Sequence, residues 1–303
     1  MNTQNNSYLK KRGDTLFYAF YDKITLQGDT IQRKRNKILN GGYRLKILFV
    51  GDVVGNPGRK TIKLIVPEMK RIMSIDYCIA NCENAAGGSG ITYAVAQELF
   101  NAGIDCITLG NHTWAKKDIV NFIDSETRMI RPANYPQELP GKGATVINRE
   151  GKNSIGVLNL LGRVYMDGVD CPFRAAEKEV QYLKNFTKIV IVDMHAEATS
   201  EKNALAWYLD GRVSCVLGTH THVQTADEKI LTCGTGYITD VGMTGPYEGI
   251  LGVDRDIIIN KFLTYMPTKF ELAKGSTQFN AVLLDIDEKN GKTCKIERIN
   301  KLV

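Results

Sequence analysis

Short apolar runs alternate with longer mixed segments in the first part of the chain after residue 44. The runs Lys46–Val50, Tyr77–Ala80 and Cys106–Leu109 are predicted to be buried strands. The segments between them, Arg59 to about Met73 and Tyr93–Asn101, are predicted to be helices. This alternation of strand and helix is typical of an α/β fold.

The rest of the chain is richer in strands. A helix is predicted from near Trp114 to Phe122, and Ser200 is predicted to be the N-cap of a helix that ends at Leu209. The other predicted elements are Ala144–Ile147, Ile155–Leu160, Ala175–Leu183, Lys188–Val192, Arg212–Leu217, Asp254–Leu263 and a final hairpin of Phe279–Ile286 and Cys294–Ile299 that turns near Asn290-Gly291. No linker or repeat interrupts them, so residues 45–303 are predicted to form one α/β domain of two packed sheets with helices outside.

Polar residues of the kinds that bind metal ions follow many of these strands. They are Asp52, Glu83, Asn84, Asn111, His112, His195, His220 and His222. The carboxyl ends of strands are where α/β folds place ligand-binding and catalytic groups. A single residue of this set is better explained by a structural role, such as capping of the next turn by Asp52. The repetition at successive strand ends favours a functional site.

The run Gly218-Thr219-His220-Thr221-His222 contains two of the four histidines of the chain. Imidazoles two residues apart point to opposite faces of a strand and diverge on a helix, so they can meet at one metal ion only in an irregular loop. Two loop histidines alone are more often solvated than bound to a metal. The other two, His112 and His195, also follow predicted strands, and this coincidence favours a metal centre.

Composition narrows the class of protein and the compartment. Hydrophobic residues make up 43% of the chain and charged residues 24%, as in a globular protein. No apolar run approaches membrane-spanning length, and the N-terminus has no apolar signal core. The seven cysteines are scattered through predicted strands, which favours a reducing compartment over a disulfide framework. A cytoplasmic location is therefore expected.

Residues 1–44 carry nine Lys and Arg against three Asp, which accounts for the whole net charge of +6. A basic arm that recruits RNA is one interpretation. The segment has no repeated aromatic–basic pattern and no apolar periodicity, which favours a disordered leader. We further expect this leader to be absent from the native protein, because Gly41-Gly42 can be encoded by a ribosome-binding sequence and Leu45 by the alternative start codon UUG. Deletion of residues 1–44 is then expected to leave activity unchanged.

The order of ligand types along the chain resembles the calcineurin-like metallophosphoesterase superfamily. The strings GNHTW and GTHTHVQTAD carry that resemblance, and GDVVGNPGR, ENAAGGSG, RPANYP, DMHAEATSEK and TDVGMTGPY make it closer to the bacterial branch of 2',3'-cyclic-nucleotide 2'-phosphodiesterases. The resemblance covers essentially Leu45–Val303. It implies an α/β/β/α sandwich of two packed mixed β-sheets flanked by helices. Val54 stands where the superfamily usually has the histidine of Asp-x-His, and Asn84 compensates as in this branch.

The resemblance also implies a centre of two metal ions, divalent or of mixed valence. The implied ligands are Glu83 as the bridge between the ions, Asp52, Asn84 and His222 at one ion, and Asn111, His195 and His220 at the other. His112 would stand beside the phosphate as the general acid. Mixed carboxylate, amide and imidazole ligands suit iron, manganese or zinc better than calcium, and iron is the expected metal.

The activity implied by the resemblance is metal-dependent hydrolysis of phosphoric diesters. A hydroxide held between the two metals would open 2',3'-cyclic nucleotides to 3'-nucleotides. A phosphomonoesterase or protein phosphatase at the same site is an alternative, and so is a regulatory module that binds RNA or protein with little turnover. The expected partners are a small cyclic nucleotide, with RNA ends as an alternative, and further copies of the chain in a homo-oligomer. No membrane partner is expected, and no substrate-binding residue is assigned.

Overall fold

The computed structural model describes residues 44–166 and 168–303. Residues 44–302 form one compact unit. The predicted leader lies outside the described residues, except for Arg44, which is the first residue of the first strand.

The described residues form fourteen strands and five α-helices. The strands are β1 (Arg44–Val50), β2 (Asp52–Val53), β3 (Tyr77–Asn81), β4 (Cys106–Thr108), β5 (Met129–Ile130), β6 (Ala144–Ile147), β7 (Ile155–Leu161), β8 (Val190–His195), β9 (Cys215–Thr219), β10 (Lys229–Ile230), β11 (Gly236–Ile238), β12 (Met243–Pro246), β13 (Thr277–Asp287) and β14 (Thr293–Leu302). The helices are α1 (Gly55–Ile72), α2 (Tyr93–Asn101), α3 (Pro172–Leu183), α4 (Thr199–Tyr208) and α5 (Arg255–Thr264).

The strands form two mixed sheets. The first has the order β2-β12-β13-β1-β3-β4-β5, with β14 also paired to β13, and the second has the order β10-β11-β9-β8-β7-β6. In the first sheet, β1, β3, β4 and β5 run parallel to one another. In the second, β7, β8, β9 and β11 are parallel. The carboxyl ends of each parallel set therefore lie at one edge of its sheet, where their following loops can build a common site.

Three apolar clusters hold the layers together. Between the sheets, side chains such as Phe49 and Ile79 of the first sheet share a buried cluster with Ile191 and Leu217 of the second. Helices α1 and α2 share a second cluster with the outer face of the first sheet. Helices α3 and α4 share a third with the outer face of the second sheet. This arrangement confirms the predicted α/β/β/α sandwich.

Three predictions of local structure are corrected by the structure. The segment Trp114–Phe122 is not one α-helix but two short 3-10 helices, because Lys116 between them has an extended backbone with φ −111° and ψ 117°. Ser200 is not an N-cap. Helix α4 follows Ala198, which has no side-chain capping bond, and Ser200 lies inside its first turn. The last predicted strand before His220 also ends later, at Thr219, because the chain stays paired with β8 as far as His195.

None of the helices in the described part of the chain combines the length and the apolar character that a membrane span requires.

Candidate metal centre

The structure brings the predicted site residues together at the carboxyl ends of the parallel strands. Asp52 lies just after β1, and His195 is the last residue of β8. The remaining residues follow their strands directly: Glu83 and Asn84 follow β3, Asn111 and His112 follow β4, and His220 and His222 follow β9. Both sheets therefore contribute to one cluster.

The centre of the cluster is the Nε2 atom of His195, whose side chain is fully buried. This atom lies 3.2 Å from Glu83 Oε1, 3.0 Å from Asn111 Oδ1 and 3.1 Å from His220 Nδ1. The ligand atoms of Glu83, His195 and His220 lie within 4.8 Å of one another. A carboxylate oxygen, an amide oxygen and two imidazole nitrogens thus converge, which is a donor set suited to a transition metal.

Glu83 connects this group to the remaining predicted ligands. Its Oε1 atom lies 3.1 Å from Nδ2 of Asn84, and the same amide nitrogen lies 3.2 Å from Nε2 of His222. Asp52 is fully buried, and its Oδ2 atom accepts a hydrogen bond from the backbone N–H of His220 at 3.2 Å. The other oxygen of this carboxylate, Oδ1, is buried without a hydrogen-bond partner. A buried carboxylate oxygen that lacks a proton donor fits coordination of a cation.

Each of three histidines uses one ring nitrogen for an outer contact and directs the other into the cluster. His222 Nδ1 donates to the carbonyl oxygen of Leu251 at 3.2 Å, which leaves Nε2, the nitrogen that faces Asn84, with the lone pair. His195 Nδ1 lies 2.9 Å from Thr219 Oγ1, and that hydroxyl donates to Asp193 Oδ1 at 2.7 Å. His220 Nε2 lies 3.2 Å from a carboxylate oxygen of Glu197. Such outer contacts orient imidazoles that bind metals, so these three residues fit the expected group.

Burial and crowding of charge shift the pKa values in the cluster. Burial raises the pKa of Asp52 to about 6. Burial and the charge of His195 lower the pKa of His220 to about 3, which keeps its ring neutral. Burial opposes the charge on Glu83, but His195 and His112 outweigh it and hold the pKa of Glu83 well below its usual range. Glu83 is thus ionised and His220 neutral, the forms in which a carboxylate and an imidazole bind metals, whereas burial of His195 is outweighed by the neighbouring carboxylates, which raise its pKa to about 9.

His112 differs from the other histidines in its exposure. Its Nδ1 atom lies 2.8 Å from Asn84 Oδ1 and 3.2 Å from Glu83 Oε1, while 42% of its side chain is exposed to solvent. The hydrogen bond to Glu83 raises the pKa of His112 although burial opposes the shift. This imidazole is therefore held at the edge of the cluster with its Nε2 atom available to an incoming molecule.

The His-x-His segment has the irregular backbone that its spacing requires. His220 and His222 have φ values of 101° and 66°, in the left-handed region that residues other than glycine rarely adopt. Gly110 allows the close approach of the other ligands, because a Cβ atom there would lie 2.4 Å from the His195 ring and 2.5 Å from Glu83 Oε2. Sequence spacing predicted the irregular loop correctly.

A fully buried ion pair, absent from the sequence prediction, holds the His-x-His segment. Lys202 Nζ donates to Asp240 Oδ2 at 2.8 Å, and both side chains are inaccessible to solvent. The same oxygen accepts bonds from the N–H and the hydroxyl of Thr221, at 3.0 and 2.8 Å, and Asp240 Oδ1 accepts the N–H of Gly242 at 2.8 Å. The carbonyl of Gly242 in turn accepts the N–H of Asp52 at 3.0 Å. The pair therefore links three predicted ligands, and its residues lie in the strings DMHAEATSEK and TDVGMTGPY.

The chain is similar to several known proteins over most of its length. The 2',3'-cyclic-nucleotide 2'-phosphodiesterase of Bacillus subtilis strain 168 is 51% identical over 255 residues, which cover 84% of this chain and 96% of that protein. The crystal structure of a hypothetical protein from Thermus thermophilus has 41% identity and a TM-score of 0.80, covering 85% of this chain and 99% of that one.

The crystal structure of a novel phosphatase from Mycoplasma pneumoniae has 35% identity and a TM-score of 0.81, and covers 86% of this chain and 94% of that one. The sequence model of the family described as YmdB-like protein matches residues 48–299. The predicted resemblance to this branch of the metallophosphoesterases is thereby confirmed, and the chain belongs to the YmdB-like protein family.

Proposed function

We propose that this protein is a metal-dependent phosphodiesterase that hydrolyses 2',3'-cyclic nucleotides to 3'-nucleotides. The observation that carries the proposal is the convergence of Glu83, Asn111, His195 and His220 around a single point at hydrogen-bond distances. The name and the 51% identity of the Bacillus subtilis relative support the class of substrate. The names of the relatives support hydrolysis of phosphoric diesters in general, and the cyclic nucleotide as substrate is the more specific part of the proposal.

The residues divide between two metal positions that share Glu83. We assign Asn111, His195 and His220 to one position, because the Nε2 atom of His195 lies close to both Asn111 Oδ1 and His220 Nδ1. Asn84 and His222 are assigned to the other, beyond Glu83. Asp52 is placed with them because the family resemblance implies it. Two cations bound by these residues would supply neutralisation of the phosphate oxygens and a water of lowered pKa as the nucleophile. Iron is the favoured metal, with manganese or zinc as alternatives.

His112 supplies the proton that the leaving group needs. Asn84 Oδ1 accepts from His112 Nδ1, so a protonated ring can donate from Nε2. Hydroxide adds to phosphorus, the bond between phosphorus and O2' breaks, and O2' takes the His112 proton. The products are a free 2'-hydroxyl and a 3'-phosphate. A positioned general acid of this kind contributes roughly 10²–10⁴-fold to a rate.

Turnover of a small set of phosphate esters by protein purified without oxygen tests the proposal. We expect 2',3'-cyclic nucleotides and bis-aryl phosphates to be hydrolysed much faster than mono-aryl phosphates, with the 3'-nucleotide as product and about two metal ions per chain by elemental analysis. Preference for mono-aryl phosphates would support the phosphomonoesterase alternative. A regulatory binder would keep its biological effect in a variant that has lost a metal ligand.

The formation of a homo-oligomer and the cytoplasmic location stay predictions.

A further inference from the structure

The segment Gly162–Met166, here called the rim loop, is built into a fixed conformation directly after β7. The N–H of Gly162 donates to the carbonyl of His195 at 2.9 Å. The carboxylate of Glu201, only 9% exposed, accepts the N–H groups of Arg163 at 3.0 and 3.1 Å and of Val164 at 3.2 Å. The loop is thus anchored to the backbone of His195, a predicted metal ligand, and to Glu201 of helix α4.

The other end of the rim loop also reaches the metal centre. The sulfur atom of Met166 accepts the N–H of Glu197 at 3.3 Å, and the carboxylate of Glu197 lies 3.2 Å from Nε2 of His220. The loop therefore contacts the backbone of His195 at one end and, at the other, Glu197, whose carboxylate contacts the imidazole of His220. Strand β7 runs parallel to β8 with Leu161 opposite His195, so the rim loop leaves its sheet at the same edge as the metal centre.

Tyr165 at the tip of the rim loop has an unusual combination of strain and exposure. Its φ of 61° lies in the left-handed region, which glycine or asparagine adopts at lower free-energy cost. Its side chain is 90% exposed, so intramolecular packing does not explain a large aromatic residue there. Strained backbone that presents a side chain beside a site is characteristic of functional positions.

We propose that Tyr165 binds the nucleobase of the substrate by stacking, an inference that rests on the proposed function. An exposed aromatic ring can stack on any purine or pyrimidine, and loss of such a contact is expected to weaken binding about 10- to 100-fold, which is about 1.4–2.7 kcal/mol. The Glu201 carboxylate and the Met166 contact hold the loop so that the ring stands ready before the base arrives. Tyr165 is a binding residue here and takes no part in the transfer of protons.

Tyr265 provides a matched control for this proposal. It is also a tyrosine, its φ is 59°, and it is 93% exposed. It lies at the C-cap of α5, and its N–H bonds to the carbonyl of Lys261 rather than to a residue of the metal centre. The two positions thus share side chain, backbone conformation and exposure, and differ in their connection to the site.

The experiment compares adenosine 2',3'-cyclic phosphate with ribose 2',3'-cyclic phosphate, which lacks the base, on metal-loaded protein. We expect Tyr165→Ala to raise KM for the nucleotide about 10- to 100-fold, with kcat within about twofold and with KM for the ribose compound unchanged. Tyr165→Phe keeps the aromatic face and should behave as the wild type, and so should Tyr265→Ala. An equal loss on both substrates would mean that the loop only shapes the site, and an unchanged KM for the nucleotide would exclude stacking; either result overturns the proposal.

Direct binding separates failure of this inference from failure of the proposed function. If the wild type hydrolyses neither compound, the proposed function fails, and calorimetric titration with adenosine 3'-monophosphate then decides the role of Tyr165. A weaker affinity in Tyr165→Ala than in Tyr265→Ala would still support stacking. Equal affinities, or no binding to the wild type, would contradict it.

Discussion

At the level of single residues, Glu83 contacts several of the other predicted site groups. Its Oε1 atom faces Asn84, His112 and His195, and its Oε2 atom accepts the backbone N–H of His112 at 2.8 Å. The side chain is buried, and the pKa of its carboxyl group lies far below its usual range because neighbouring histidines outweigh the effect of burial. An ionised carboxylate in this central position is consistent with the proposed role of Glu83 as the residue that would bind both cations.

The variant Glu83→Gln tests that role with little change of shape. We expect activity to fall to background and the metal content to drop, because a neutral amide cannot bridge two cations as a carboxylate does. Elemental analysis and turnover of a bis-aryl phosphate measure the two effects. A variant that retained both metals at full turnover would show that the bridge lies elsewhere.

His112→Ala separates proton donation from metal binding. We expect near-normal metal content, because this residue is half exposed and serves as a donor to the ligands Asn84 and Glu83. Turnover of the cyclic nucleotide should fall roughly 10²–10⁴-fold. The loss should be much smaller with a nitrophenolate leaving group, which needs no proton. Equal losses with nitrophenolate and ribose leaving groups would instead make His112 a phosphate-binding group or a ligand.

At the scale of elements, the longer strands and helices were predictable from the sequence, and the shortest elements were not. Helix α2 and strand β6 have the predicted bounds, and the final hairpin of β13 and β14 lies where it was predicted. Strands such as β2 and β5 have two residues each, too few for a periodic pattern. Their existence depends on partners distant in the chain: Asp52 pairs with Met243. Local sequence cannot show such pairing.

The closeness of the predicted site residues could also be inferred from the sequence, whereas the groups that support them could not. Ligands follow strands in a recurrent order of residue types, so their positions can be inferred from the chain alone. Lys202 lies in a helix on the outside of the sandwich, where a lysine ordinarily faces solvent, yet it is completely buried. Only the fold shows that its partner Asp240 comes from a loop 38 residues later and holds Thr221 between the two histidines.

Disruption of the Lys202–Asp240 pair is expected to weaken metal binding in addition to lowering the stability of the fold. Lys202→Met should destabilise the fold by about 3–5 kcal/mol, because it leaves a buried carboxylate without its cation. It should also weaken metal binding, since Asp240 then no longer fixes the loop of His220 and His222. The double variant Lys202→Met/Asp240→Leu should regain only part of the stability, because Thr221 and Gly242 lose their acceptor, and it should not regain metal affinity. Thermal unfolding and metal titration measure the two quantities.

The pair Lys70–Asp105 is the control for this prediction. Lys70 Nζ lies 2.7 Å from Asp105 Oδ2, and the side chains are 16% and 25% exposed. Neither residue contacts a predicted ligand through the described hydrogen bonds, since Lys70 bonds to Gly103 and Asp105 accepts the N–H of Cys78. Lys70→Met should therefore reduce stability with normal metal affinity. Equal metal affinity in Lys70→Met and Lys202→Met would contradict a positioning role for Lys202.

At the scale of the whole molecule, the candidate centre connects the two sheets. Glu83 and Asn111 follow strands of the first sheet, whereas His195 and His220 belong to the second. Polar contacts already cross between the layers: Asn81 Nδ2 donates to Asp193 Oδ2 at 3.0 Å. Cations bound by these residues would therefore add a link between layers that are otherwise held mainly by the apolar cluster between the sheets.

Metal removal should therefore lower the thermal stability of the entire domain. A ligand that binds only the folded state adds about 2.7 kcal/mol at a free concentration of 100 times its Kd. For a domain of this size, that corresponds to a fall in Tm of roughly 5–10 °C on chelation, recovered when metal is restored. Differential scanning calorimetry of metal-loaded and chelator-treated protein measures the shift. Glu83→Gln, with its bridge removed, should show little or no shift, and a wild type that melts at one temperature with and without chelator would show that the centre does not join the sheets.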